Sequence, residues 1–187
     1  MAKVEVLIEG YVRETEGGES VQPTISLVRS KKMVMVVDPG ILRKTSDLLD
    51  ALKERDLKAA DVTHVFITHH HVDHTRNVGM FPAATVYDSD SLYRGDLWAE
   101  HEGDGFFVAP GVQIIKTPGH TNECASLVVE TDDGVVVLTH AWWFSDMTPV
   151  EDPLADDQAE LERSRERILA IADTVIPGHG GPFSCKA

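Results

Sequence analysis

Residues 69–74 read His69-His70-His71-Val72-Asp73-His74, and no other stretch limits the fold as strongly. Written as His-x-His-x-Asp-His, it sets four metal-capable side chains within six residues: His69, His71, Asp73 and His74. Imidazole together with carboxylate suits zinc, iron or manganese. In front of it, Thr63-His64-Val65-Phe66-Ile67-Thr68 is β-branched and aromatic and reads as a buried strand. The donors therefore leave a strand end and enter a tight loop. His69 and His71, two apart, share a side if extended geometry persists, while Asp73 and His74 then point elsewhere. That arrangement favours two neighbouring metal positions over one.

Three further strand ends carry a histidine: His120, His140 and His179. Two are framed alike, Pro118-Gly119-His120 and Pro177-Gly178-His179. Proline and glycine bend the chain sharply after a strand, so an imidazole can turn toward a common point. One such turn is weak evidence of a site. Two of them downstream of a His-x-His-x-Asp-His are strong evidence together.

The patterns between these points alternate strand and helix. Val4–Ile8, Ile25–Leu27, Met33–Val37, Ala84–Tyr87, Val112–Lys116, Ser126–Glu130, Val135–Leu138 and Thr174–Ile176 read as strands. Asp38-Pro39-Gly40 stops one of them, and Thr131-Asp132-Asp133-Gly134 is a hairpin signature. Leu48, Leu49 and Leu52 have helical spacing behind a Thr45 or Ser46 cap. Asp156–Ala172 is the longest helical stretch, with Leu161, Ile168 and Ile171 expected inward. Tyr11–Gln22 reads as a loop that covers the site, and Asp88–Asp104 as a polar surface segment. Strands followed by a helix, twice over, fit a two-sheet sandwich with helices outside.

A chain of 187 residues fits one domain, 1–187, with a proper core. Its net charge of −14 argues against broad, non-specific nucleic-acid binding, although local phosphate binding at a metal stays open. Cys124 and Cys185 make no disulfide framework, which points to a reducing compartment. Met1–Ile8 runs directly into a strand pattern without an apolar leader, and no run is long enough to span a bilayer. The expectation is a soluble cytoplasmic protein that does not act at a membrane, and by base rate a homodimer.

With these residues assembled, the chain resembles the metallo-β-lactamase fold superfamily over nearly its whole length. Leu7-Ile8-Glu9-Gly10-Tyr11, Val37-Asp38-Pro39-Gly40, the metal loop, Asn77-Val78-Gly79-Met80-Phe81-Pro82 and Ile176–Phe183 are similar to the group that includes metallo-β-lactamase-domain-containing protein 1. The resemblance implies an α+β fold, a four-layer αββα sandwich with the metals at the sheet edges. It implies a first site of His69, His71 and His120 and a second of Asp73, His74 and His179. It also implies that Asp38 orients a ligand histidine.

One position departs from the family pattern. Where an aspartate usually bridges both metals, Thr139-His140 places a histidine. A neutral imidazole presents one lone pair and cannot bridge as a carboxylate does. His140 then binds one metal, or the site holds a single metal, or His140 does not bind; ligation is the expectation. Loss of a negative ligand weakens the second position.

The resemblance implies a hydrolase with one or two zinc ions, iron and manganese being alternatives. A metal-activated hydroxide would attack an ester, thioester, lactone, lactam or phosphodiester, with Asp73 orienting the nucleophile or taking its proton. Small-molecule substrates are expected ahead of RNA because of the acidic charge. Glyoxalase II-like members carry a C-terminal helical domain, whereas this sequence ends at Ala187, so that branch is disfavoured. Two other readings stand beside it: a non-haem iron oxidoreductase of the sulfur dioxygenase type, and a metal-binding protein with little turnover because of His140. His70, His64, His101 and Cys124 are expected away from the metals, and Trp142 or Trp143 is a candidate cleft wall.

Overall fold

The computed structural model describes residues 1–186. In chain order the strands are β1 (Lys3–Ile8), β2 (Tyr11–Thr15), β3 (Gly18–Gln22), β4 (Ile25–Ser30), β5 (Met33–Val37), β6 (His64–Phe66), β7 (Thr85–Tyr87), β8 (Ser91–Arg94), β9 (Leu97–Glu100), β10 (Phe106–Ala109), β11 (Val112–Lys116), β12 (Ala125–Thr131), β13 (Gly134–Leu138), β14 (Thr174–Ile176) and β15 (Phe183–Ser184). The helices are α1 (Ser46–Lys53), α2 (Val72–Thr75) and α3 (Gln158–Ile171). One sheet has the order β1-β4-β5-β6-β7-β8-β9, the other β10-β11-β12-β13-β14-β15, and β2 pairs with β3 alone.

Strand periodicity assigns the layers. On β5, Met35 and Val37 face the second sheet, while Val36 and Val34 pack outward under α1 with Leu48 and Leu52. On β13, Val136 and Leu138 face the first sheet, and Val137 packs outward under α3 with Leu161 and Ile168. Both faces of β5 and β13 are covered, so these strands are continuously apolar rather than alternating. The result is the helix–sheet–sheet–helix sandwich that the resemblance implied.

Helix α3 starts at Asp157, whose carboxylate accepts from Glu160 N–H at 2.9 Å. It differs from expectation at one position: Ile171 is 42% exposed. Ser164 and Arg165 are buried instead, because the inward stripe is centred on the Leu161–Ile168 line. Arg165 donates to the carbonyls of Ala141 (2.8 Å), Val150 (2.5 Å) and Pro149 (2.8 Å), anchoring the 141–150 loop beside the site. On α1, Leu48 and Leu52 are buried and Leu49 is exposed. Thr45 stands at the cap without a capping bond from its hydroxyl.

Two segments read as irregular are hairpins. Residues 11–22 form β2 and β3, paired from Tyr11 with Gln22 to Thr15 with Gly18. Residues 91–100 form β8 and β9, which extend the first sheet around Gly95 at φ +61°. Asp88 fixes that corner, its carboxylate accepting from Asp90 N–H, Ser91 N–H and the Tyr93 hydroxyl.

Candidate metal centre

Strand direction brings the candidate donors together. In the first sheet β5 and β6 are parallel neighbours, ending near Asp38 and His69. In the second, β11 and β13 both run antiparallel to β12 and hence share a direction, and β14 is parallel to β13. The loops that follow these strands, carrying His120, His140 and His179, therefore emerge at one edge. Backbone bonds tie the edge across the sheets: Ala125 N–H donates to Thr68 O (2.9 Å) and Thr24 N–H to Gly178 O (2.7 Å).

The far nitrogens of four histidines are engaged by protein groups, and this decides what their near nitrogens offer. The Thr68 hydroxyl donates to Asp38 Oδ2 at 2.8 Å, so it must accept from His69 Nδ1–H at 3.0 Å. His74 Nδ1–H donates to Asp38 Oδ2 (2.9 Å), His120 Nδ1–H to Asp152 Oδ2 (2.8 Å) and His179 Nδ1–H to the Gln22 carbonyl (3.0 Å). In neutral imidazoles each Nε2 is then a bare lone pair. Asp38 itself is held by Thr68 N–H at 2.8 Å.

These lone pairs converge in two sets. His69 Nε2 lies 3.0 Å and His120 Nε2 3.2 Å from His71 Nδ1. Nearby, Asp73 Oδ2 lies 3.4 Å from His74 Nε2 and 3.7 Å from His179 Nε2. Zinc–nitrogen bonds of 2.0–2.1 Å in a tetrahedron separate neighbouring donors by about 3.3 Å, so both spacings fit a divalent ion. Buried His74 Nε2 has no hydrogen-bond partner, an unfavourable state that a cation relieves.

His140 is buried between the sets. Its Nε2 is 3.2 Å from His179 Nε2, and its Nδ1 has no partner. Gly178 makes room for the ring, since a Cβ there would meet His140 Cδ2 at 2.4 Å.

Burial keeps most of this centre uncharged. It holds His69 and His140 well below their ordinary value near 6.5, helped by the repulsion a charge on one histidine would feel from the others. His179 is pushed down to about 4 by burial and by His74. His71 is lowered by burial and His120. His74 goes the other way: burial opposes its charge, but adjacent Asp38 and then Asp73 outweigh it. Unprotonated imidazole is the form that binds metal.

A cleft of about 200 Å³ opens over the donors. Its floor includes His71, Asp73, His120, His140 and His179. Val12, Glu19 and Val21 of the β2–β3 hairpin form one wall, and Trp143 and Leu154 the other. Asp152 joins wall to floor, accepting from Trp143 Nε1–H at 3.0 Å as well as from His120. Nothing in the sequence marked Asp152, the Gln22 carbonyl or Thr68, because their partners are distant in the chain or lie in its backbone.

The other histidines sit elsewhere. His70 reaches Asp88 (3.2 Å) outside the cleft, His64 stacks on Tyr87 and His101 stacks on Phe106. Cys124 is buried beside Thr121, and burial pushes its thiol up to about 12. Trp142 packs in the core against Phe183.

Among known proteins, the family model described as Metallo-beta-lactamase superfamily matches residues 19–181. The chain is 36% identical over 194 residues to the Xenopus laevis protein named metallo-beta-lactamase domain-containing protein 1, covering 96% of this chain and 80% of that one. It is 28% identical over 199 residues to an N-acyl homoserine lactonase of Bacillus cereus, covering 90% and 79%. A crystal structure from Thermotoga maritima superposes with a TM-score of 0.76 at 19% identity, covering 98% and 99%, a likeness of fold.

Proposed function

This chain belongs to the metallo-beta-lactamase superfamily, and we propose that within it the protein is a metal-dependent hydrolase of esters, thioesters, lactones or phosphodiesters. The observation that carries the reading is the convergence of inward lone pairs on the floor of an open cleft. His69, His71 and His120 would hold one ion, and Asp73, His74 and His179 a second, with His140 grouped between them with His69 and His74. A divalent ion held there would supply Lewis acidity, polarising a substrate oxygen and lowering the pKa of water to near 7.

The chain's own groups do the rest. Asp38, Asp152, Thr68 and the Gln22 carbonyl keep the imidazoles in the tautomers that present Nε2. Asp73 is the one carboxylate in the donor sets, so it orients the attacking water and takes its proton. Val12, Val21, Trp143 and Leu154 seat the apolar part of the substrate and exclude water from it. Among the described residues no Lys or Arg lines the cleft, and Glu19 adds negative charge to its wall. This electrostatic setting favours an uncharged acyl ester or lactone over a phosphodiester, and the Bacillus cereus lactonase relative supports the acyl class.

A second reading has its own observation. Asp73, His74 and His179 form a two-histidine, one-carboxylate set, the donor pattern of non-haem iron oxygenases. One experiment separates the two. Protein purified without added metal is analysed for metal content, then assayed on homoserine lactones, acyl thioesters, nitrophenyl esters and bis(p-nitrophenyl) phosphate. We expect zinc, and turnover of an acyl substrate that chelation abolishes and zinc restores. Iron with oxygen consumption supports the second reading, and full metal loading without turnover of any substrate removes the first.

A further inference from the structure

We propose that the end of the sandwich away from the metal donors binds a small oxyanion, a free phosphate or the phosphoryl group of a small ester, between Arg94 and His64. The inference is independent of the hydrolase reading, because none of its residues belongs to the donor sets or to the cleft above them.

Strand β6 runs from His64 toward the donors that follow it, so its first residue stands at the opposite end of the sheet. Sheet register sets three side chains in one row there. His64 pairs with Thr85 across β6 and β7. In the antiparallel β7–β8 ladder Val86 pairs with Tyr93 and Tyr87 with Leu92, so Arg94 falls opposite Thr85. Residues opposite one another point to the same face. Two positions along, that face carries Phe66 and Tyr87 against the core between the sheets. The row therefore edges the sandwich, where a cavity of about 370 Å³ opens. His64, Arg94, Thr63, Thr85 and Tyr87 line it together with small apolar residues.

The chemistry of this lining points to an anion. In a chain of net charge −14, no Asp or Glu among the described residues lines the cavity, and its one permanent charge is the Arg94 guanidinium. Unlike Arg29, Arg55, Arg163 and Arg167, Arg94 forms no ion pair among the described residues. His64 has a fixed tautomer. The Thr63 hydroxyl donates to the Val34 carbonyl at 3.1 Å, so it accepts from His64 Nδ1–H at 2.7 Å. His64 Nε2 has no protein partner among the described residues, and it becomes a donor when the ring gains a proton. Burial first, and then the Arg94 charge, holds the His64 pKa below its ordinary value. A dianion between the two cations offsets that repulsion and draws the proton on. The charged and titratable groups that face His64 are Arg94 on β8 and Tyr87 on β7, and its β5 neighbour Met35 is apolar. Burial raises the pKa of Tyr87, which leaves its hydroxyl a neutral donor. A histidine kept only to stack on Tyr87, with ring centroids 5.7 Å apart, gives no reason for an unpaired guanidinium beside it.

Amide NMR of the isotope-labelled, zinc-supplied protein tests this. Sulfate is the first probe, because it stays a dianion while His64 titrates, and inorganic phosphate and phenyl phosphate follow. We expect saturable shifts at residues 63–64, 85–87 and 94, separate from any at 69–74. Arg94→Gln, at an exposed position, should keep the fold and weaken sulfate binding at least about tenfold. Sulfate affinity should rise by up to about tenfold per pH unit as pH falls from about 8 to about 6, and this slope should vanish in His64→Gln. Tighter binding of phenyl phosphate than of inorganic phosphate supports an ester as the ligand, and the reverse order supports the free ion. Shifts confined to the metal loop, shifts that grow linearly with added salt, or sulfate affinity unchanged in Arg94→Gln overturn the proposal. None of these outcomes touches the hydrolase reading, which the substrate panel decides.

Discussion

Asp152 lies 32 residues from His120 in sequence, yet its carboxylate is what fixes that ring. Although burial works against its charge, the bond from His120 holds the Asp152 carboxyl below the usual carboxylate range. Removing such a partner frees the tautomer and the ring angle. Asp152→Ala should weaken binding at the first position about 10–100-fold, measured by chelator competition, while the fold survives. Gly178 makes the opposite demand, for space. Gly178→Ala drives a methyl group into His140, and metal analysis should show the second ion reduced while the first is retained. At this scale sequence reading named the candidate donors and, among their supporting partners, Asp38 but not Asp152. His69, His71, Asp73 and His74 announce themselves by spacing. A carboxylate that supports a histidine 32 residues away carries no local mark.

The elements differ in how clearly they were written. Strands β5 and β13 lie between two packed layers, so continuous apolar runs mark them. The β2–β3 hairpin stands outside both sheets and carries charges on its exposed residues, which hid its pairing. Its contribution is a wall of the cleft. Val21→Ala removes two methyl groups from that wall and should raise KM for an apolar acyl substrate by up to about tenfold, with metal content unchanged. Helix α3 has a different task, covering the second sheet and holding the 141–150 loop through Arg165. Ile168→Ala, at a fully buried site, should cost about 2–5 kcal/mol in denaturant unfolding. The exposure of Ile171 shows the limit of spacing arguments: three positions beyond Ile168 it has passed the edge of the covering layer.

For the whole molecule, the centre couples stability to pH and metal. His69, His140 and His179 have folded pKa values below the ordinary 6.5, so the unfolded chain binds more protons in acid. Their neutral burial is favourable above about pH 6.5, and stability is lost as pH falls toward 4. His74, raised by Asp38, has the opposite sign, its stabilisation being lost as pH rises through its folded value. With His71 also lowered, four depressed groups against one raised group predict net acid lability. The urea midpoint of the metal-free protein should fall steadily between pH 7 and pH 5. Zinc at neutral pH should raise the midpoint, adding about 2.7 kcal/mol of unfolding free energy per site at a hundredfold excess over Kd. Among the described residues no helix is long and apolar enough to cross a membrane.

Sequence alone determined the kinds of donor and their places at strand ends, because a dense His-x-His-x-Asp-His and repeated Pro-Gly-His turns are local facts. The tertiary structure decided which nitrogen of each ring faces inward and which groups hold it there. The reason is that those choices depend on acceptors and walls delivered by pairing between remote strands, and on burial, which no short stretch of chain can achieve by itself.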